Sequence, residues 1–271
     1  MSKNAIAEMF ATQQIDPERQ AKVDALPDPE LRYVIAITPR SGSSLLCDVM
    51  TSTKRLGRPG EKLEAKSIRG NLRAAPSRTP DEYLRNVLRI NATRNGVSGL
   101  KASWFQFNNF SRLMVDRQSL KSLKYIYLTR RDLYAQSVSL YKATESRVFH
   151  TNIEHTQEAL QKLKALEYDY ARLAHWHQHL VAQEAGWQRF FDQQGIHPLA
   201  ITYEDIENDV HTVVRRVAAY LGLPTGNLGL GASESIFKKL GDRSSVVWAA
   251  RFMLERAAEQ RHAATAEAAT A

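Results

Sequence analysis

Tyr33-Val34-Ile35-Ala36-Ile37-Thr38 is a continuous apolar run of strand length, and Pro39-Arg40-Ser41-Gly42-Ser43-Ser44-Leu45-Leu46 follows it directly. A run without polar alternation suits a strand buried on both faces, as in a parallel sheet covered by helices. Residues 43–50 then take on helical character, so 33–50 reads as strand, loop and helix. Such a loop opens onto a helix N-terminus, where backbone N–H groups and the positive end of the helix dipole converge on an anion. The Ser43 and Ser44 hydroxyls are further donors, and Arg40 adds a cation able to fork onto a tetrahedral anion. An N-capping serine beside a turn-forming Gly42 would account for Ser41 to Ser44 without any ligand.

The same pattern recurs outward from this stretch. Lys124-Tyr125-Ile126-Tyr127-Leu128-Thr129 is a second strong strand, with a helix predicted over 132–142. Weaker strands are predicted at 97–101 and 198–202, followed by helices over 105–115 and 206–221, the last closed by Gly222 and Pro224. Residues 154–191 read as one long or broken helical stretch, whose Tyr168, Trp176 and Trp187 are core candidates. Repeated β-α order predicts an α/β fold, a P-loop-like, mainly parallel sheet flanked by helices, with ligands beyond the carboxyl ends of the strands. Residues 1–32 read as an N-terminal arm, 33–256 as the domain, and the Ala/Glu-rich 257–271 as a flexible tail.

A chain of 271 residues, 43% hydrophobic and 24% charged, has the composition of an ordinary globular protein, not of a disordered or fibrous one. Its sole cysteine, Cys47, rules out an intramolecular disulfide and a Cys-based metal site, as expected in a reducing compartment. The first residues lack a signal-peptide core, and no run approaches the roughly 18 apolar residues of a membrane helix. A cytoplasmic location follows as the expectation. The net charge of +8 points to an anionic ligand or surface, and peripheral contact with the inner face of an anionic membrane is compatible with it. Much of that charge falls between Lys54 and Arg94, a stretch with few interleaved aromatics, so nucleic acid is not an expected partner. The segment reads either as a solvated basic face or as an acceptor- or membrane-facing one. His175, His177 and His179 lack zinc-ligand spacing, and no metal is expected.

A nucleotide P-loop would read G-x-x-x-x-G-K-[ST], with its lysine on the terminal phosphates. Here Ser43 stands where that lysine belongs, which counts against a magnesium-ATP kinase. A non-enzymatic anion or nucleic-acid binder is the alternative reading of the basic charge.

With PRSGSSLL after the first strand, the chain resembles the sulfotransferases that use 3′-phosphoadenosine 5′-phosphosulfate (PAPS), in the branch of bacterial trehalose and lipopolysaccharide sulfotransferases. The resemblance implies that Arg40, Ser41, Gly42, Ser43 and Ser44 take the donor's 5′-phosphosulfate. The segment 125–141 is similar to the family's 3′-phosphate segment, which assigns Arg130 and Ser139 to that phosphate, with Arg131 and Ser137 as rivals and Asp132 as an N-cap. The likeness continues through 95–104, 147–149 and 201–206, and more weakly through Asp242 and 248–251; 67–94 has no counterpart.

Sulfuryl transfer needs an acceptor hydroxyl in line with sulfur, a base for its proton, and donors for the charge that grows on the oxygens. The resemblance places the base at Glu61, in Gly57-Arg58-Pro59-Gly60-Glu61-Lys62-Leu63, with Glu64 as the alternative. Arg40 is the expected catalytic cation. Lys101, at the end of a strand, reads either as a group stabilising the sulfuryl or as a snorkelling surface lysine. The implied acceptor is a sugar or glycolipid hydroxyl, and a homodimer is left open.

Overall fold

β1 (Leu31–Ile37) forms where the sequence is apolar without alternation, because both of its faces are covered. The computed structural model describes residues 3–149, 155–226, 228–230 and 243–270. The chain divides into two compact units, Met1–Thr129 with Gln183–Ser233, and Arg130–Ala182 with Glu234–Ala271.

In the first unit β2 (Val97–Ser103), β3 (Lys124–Thr129) and β4 (Leu199–Thr202) join β1 in a parallel four-stranded sheet of order β2-β1-β3-β4. The α/β architecture of a parallel sheet flanked by helices is therefore as expected. On one face Tyr33, Ile35 and Ile37 pack with Leu46 and Met50 of α3 (Ser43–Ser52) and Val213, Val214 and Val217 of α10 (Tyr203–Leu221). On the other, Val34 and Ala36 meet a cluster fed by several helices. These are α1 (Lys3–Ala11), α4 (Ala65–Asn71), α5 (Pro80–Ile90), α6 (Trp104–Ser111) and the second half of α9 (Tyr170–Gln194). Ile6 and Phe10 of the N-terminal arm are buried in this cluster, and Val23 of α2 (Pro17–Asp24) is buried as well.

Register explains one glycine. Tyr33 pairs with Gly99 across β1 and β2, and a Cβ at Gly99 would lie 2.1 Å from the Tyr33 ring. The bare backbone there lets the buried ring reach across and donate its hydroxyl to the Leu56 carbonyl.

Two elements were not legible in the charge-rich 54–94 stretch. α4 and α5 turn Ile68, Tyr83, Leu84, Val87 and Leu88 into the core, so this segment is amphipathic and not merely a solvated basic face. The α5 start carries ordinary signals, with Thr79 as N-cap accepting from the Glu82 N–H and Pro80 in the first turn. α6 starts one residue ahead of the predicted helix, at the Ser103/Gln106 capping box, and ends four residues before its predicted end, at Ser111. The Thr202/Asp205 box likewise starts α10 three residues ahead of the predicted helix.

The second unit is helical, with α7 (Leu133–Ser146), α8 (Gln157–Lys164), the first half of α9 and α11 (Arg243–Thr270). Val138, Tyr141, Leu173, Ala249 and Phe252 form its core. The helical stretch predicted from 154 is thus two helices, and its first residue, like Asp242, lies outside the described residues. Helix continues through 257–270, the stretch whose sequence reads as a fraying helix or a flexible tail. Among the described residues no helix is long and apolar enough to cross a membrane.

Candidate functional site

Where β1 ends, the chain turns through two left-handed residues, Arg40 at φ 66° and Gly42 at φ 81°. Thr38 and Ser41 are fully buried, and Ser41 Oγ donates to the Thr38 carbonyl at 2.7 Å. Ser41 is therefore tied into the turn and does not cap the helix. Gly42 is the N-cap residue of α3, and no side chain caps that helix. The backbone donors at the start of this ten-residue helix are thus not taken up by a capping side chain, as an anion cradle requires.

Lys101 approaches the same helix end from β2. It pairs with Ile35 in register, and its Nζ lies 3.1 Å from Ser44 Oγ and 3.4 Å from Ser43 Oγ. The residue is 7% exposed, so the snorkelling reading fails. An ammonium so buried costs several kcal/mol unless partnered, and its ionic partner is Glu61, whose Oε1 lies 3.4 Å from Nζ. The backbone fixes this pairing, since Lys101 N–H donates to the Gly60 carbonyl at 3.0 Å and Glu61 forms a parallel bridge with Lys101. Gln106 Nε2 donates to the other carboxylate oxygen of Glu61 at 3.2 Å. Glu61 is thereby held on both oxygens, yet its side chain stays 39% exposed.

An open pocket of about 270 Å³ lies over these groups, lined by Ser44, Cys47, Asp48, Thr51, Pro59, Gly60, Glu61 and Lys101. The structure therefore brings Ser43, Ser44, Lys101 and Glu61 together. Arg40, Ser41 and Gly42 build the adjoining turn and do not line the pocket. Glu64, the rival of Glu61, is the exposed N-cap residue of α4 and is not in the lining.

The other nominated residues belong to the second unit. Arg130 is half-buried and Arg131 exposed. Asp132 is the N-cap of α7, accepting from the Ala135 N–H at 2.8 Å. Ser137 is fully buried, donates to the Leu133 carbonyl at 2.7 Å and lies 3.3 Å from His177 Nδ1. Its hydroxyl is committed inside the helix bundle. Ser139, about two turns into α7, is half-buried.

Three lining residues and one supporting residue escaped the sequence reading. Cys47, Asp48 and Thr51 share a helical stripe with Ser44, a spacing visible in the sequence once the loop-to-helix boundary is known. Gln106 was legible as the closing residue of an S-x-x-Q capping box, but not as a partner of Glu61.

The model of a family described as Stf0 sulphotransferase matches residues 32–255. Trehalose 2-sulfotransferase of Mycolicibacterium smegmatis is 24% identical over 270 residues, covering 83% of this chain and 95% of its own. The trehalose 2-sulfotransferase of Mycobacterium tuberculosis is 23% identical over 233 residues, covering 70% and 84%. Among solved structures, mouse sulfotransferase SULT7A1 complexed with PAP shares 14% identity at a TM-score of 0.37, over 90% of this chain and 70% of that one.

Proposed function

The chain belongs to the Stf0 sulphotransferase family, and from that premise we propose that it moves a sulfuryl group from PAPS to a hydroxyl of a carbohydrate or glycolipid acceptor. One observation supports this reading most: the buried Lys101 ammonium stands between the Ser43 and Ser44 hydroxyls at a helix N-terminus and the Glu61 carboxylate. That arrangement joins cationic and neutral donors suited to sulfuryl oxygens with a base suited to an acceptor proton.

In this reading the turn at Arg40 to Ser44 takes the 5′-phosphosulfate through backbone N–H groups, hydroxyls and the guanidinium. The acceptor oxygen forms its bond to sulfur as the bond from sulfur to the phosphate oxygen breaks. The acceptor proton passes to Glu61, and the leaving 3′,5′-bisphosphate carries away the charge. Lys101 stabilises charge on the transferring group and holds Glu61 in place. The 3′-phosphate is assigned by resemblance to Arg130 and Ser139, and the activity to residues 33–256. Trehalose, which the names of both mycobacterial relatives specify, is the first acceptor to try.

Desalted protein is expected to bind 3′-phosphoadenosine 5′-phosphate far more tightly than ATP without magnesium, measured by titration calorimetry. Tight magnesium-ATP binding with no bisphosphate binding would overturn the reading in favour of a kinase. Glu61→Gln should keep bisphosphate binding while losing turnover. Bisphosphate binding without sulfation of any fraction of a cell extract would leave a non-enzymatic binder.

A further inference from the structure

The pocket extends past the groups that this reaction uses. Ser44, Cys47, Asp48 and Thr51 stand at i, i+3, i+4 and i+7 on α3, and Pro59, Gly60 and Glu61 form the facing wall. At about 1.5 Å rise per residue, Asp48 lies about 6 Å and Thr51 about 10 Å along the helix from Ser44. The groove thus runs from a cationic end, at Lys101 and the helix N-terminus, to a far end carrying a carboxylate and a hydroxyl.

Asp48 is exposed, and among the described residues no hydrogen bond or ion pair engages its carboxylate. The floor of the groove is Cys47, whose thiol is pushed up to about 11 by burial, with Lys101 opposing the rise and Glu61 and Asp48 adding to it. Lys101, Glu61 and Asp48 all line that pocket.

We infer that Asp48, with Thr51, holds the acceptor, and that the groove selects an uncharged polyhydroxylated ring over an anionic one. This rests on the proposed reaction. An ionised carboxylate accepts hydrogen bonds from neighbouring ring hydroxyls, and the Thr51 hydroxyl both donates and accepts. Because Asp48 is one turn beyond Ser44, the hydroxyl it holds differs from the one presented to Glu61. A phosphate or carboxylate on the same ring would meet two carboxylates, Asp48 and Glu61, that line one pocket. The volume of about 270 Å³ falls just below the usual range of small-ligand sites, about 300–1,000 Å³, and suits a sugar ring better than a bulky lipid head.

Trehalose and trehalose 6-phosphate serve as probes, with sulfation kinetics at saturating PAPS and saturation-transfer NMR on the protein with bound 3′-phosphoadenosine 5′-phosphate. The wild type should bind and use trehalose in preference to its phosphate. Asp48→Ala should raise the KM for trehalose by about tenfold to a hundredfold, with kcat changed less and bisphosphate affinity unchanged. Asp48→Asn should retain part of the loss, and Asp48→Lys should shift preference toward the phosphate. An unchanged KM in Asp48→Ala overturns the inference, as does equal use of both sugars or no trehalose binding by the wild type. Intact bisphosphate binding in any of these cases leaves the donor reading standing, whereas its loss in the wild type defeats that reading itself.

Discussion

Lys101 and Glu61 are joined twice, by an ion pair at 3.4 Å and by the backbone bridge that sets Lys101 N–H on the Gly60 carbonyl at 3.0 Å. The backbone link positions the loop whether or not the charges are present. Lys101→Met should therefore cost little stability, since an apolar chain of similar length replaces a buried ammonium. Turnover should fall by about a hundredfold or more, because the donor aimed at the reacting oxygens is gone. Combined with Glu61→Gln, the losses should be far from additive. A Lys101→Met protein with normal kcat would remove this lysine from the chemistry.

The turn before α3 should show stability and binding moving in opposite directions. Arg40 holds φ 66°, which a side chain adopts at a cost of order 1–3 kcal/mol. Arg40→Gly should raise the melting temperature while weakening bisphosphate binding at least about tenfold.

Gly42→Ala should do the reverse for stability. It forces a Cβ into φ 81° and places it 3.0 Å from the Tyr203 ring, for a loss of about 1–2 kcal/mol and a weaker donor site. Denaturant titration beside calorimetry reads both effects. An unstrained Arg40→Gly with full affinity would show that the turn is not a ligand site.

Cys47 should be nearly inert in the folded protein. Burial, foremost, lifts its thiol to about 11, so little thiolate exists near neutral pH. Alkylation by iodoacetamide at pH 7.5 should be at least about a hundredfold slower in the native than in the unfolded state. Equal rates would mean that the pocket floor is open.

Asp28 offers a pH test. The hydrogen bond from Arg89 Nε at 2.7 Å, above all, holds its carboxyl below the ordinary carboxylate range, with burial opposing. A depressed folded pKa contributes stability above the unfolded value of about 3.9, and that contribution disappears as pH falls through the lower folded value. Asp28→Asn should therefore lower the melting temperature at pH 7, with the gap closing as pH drops below about 4. The shift should be small and salt-sensitive, since the Asp28 side chain is 61% exposed. A gap that persists unchanged in acid would assign the effect to packing.

The sequence alone determined the sheet and its loops. Unbroken apolar runs at 33–38 and 124–129 admit only doubly covered strands, and both appear in a parallel sheet with helices on each face. Glu61 and Lys101 were each legible as candidates, one by family resemblance and one by its place at a strand end. Local signals also held the capping boxes at Ser103 and Thr202.

What tertiary structure decided is how those residues meet. Forty positions separate Glu61 from Lys101, and nothing local in either segment specifies the bridge between them. Burial turned an ambiguous lysine into a buried cation, and helical periodicity placed Asp48 and Thr51 in the lining of the same pocket. The core role of α4 and α5 also emerged only on folding, because abundant arginines mask an apolar stripe that is recognisable once its partner surface exists. Strand and helix formation follow from near-neighbour patterns, whereas a site is made by long-range register and desolvation, which a one-dimensional pattern does not carry.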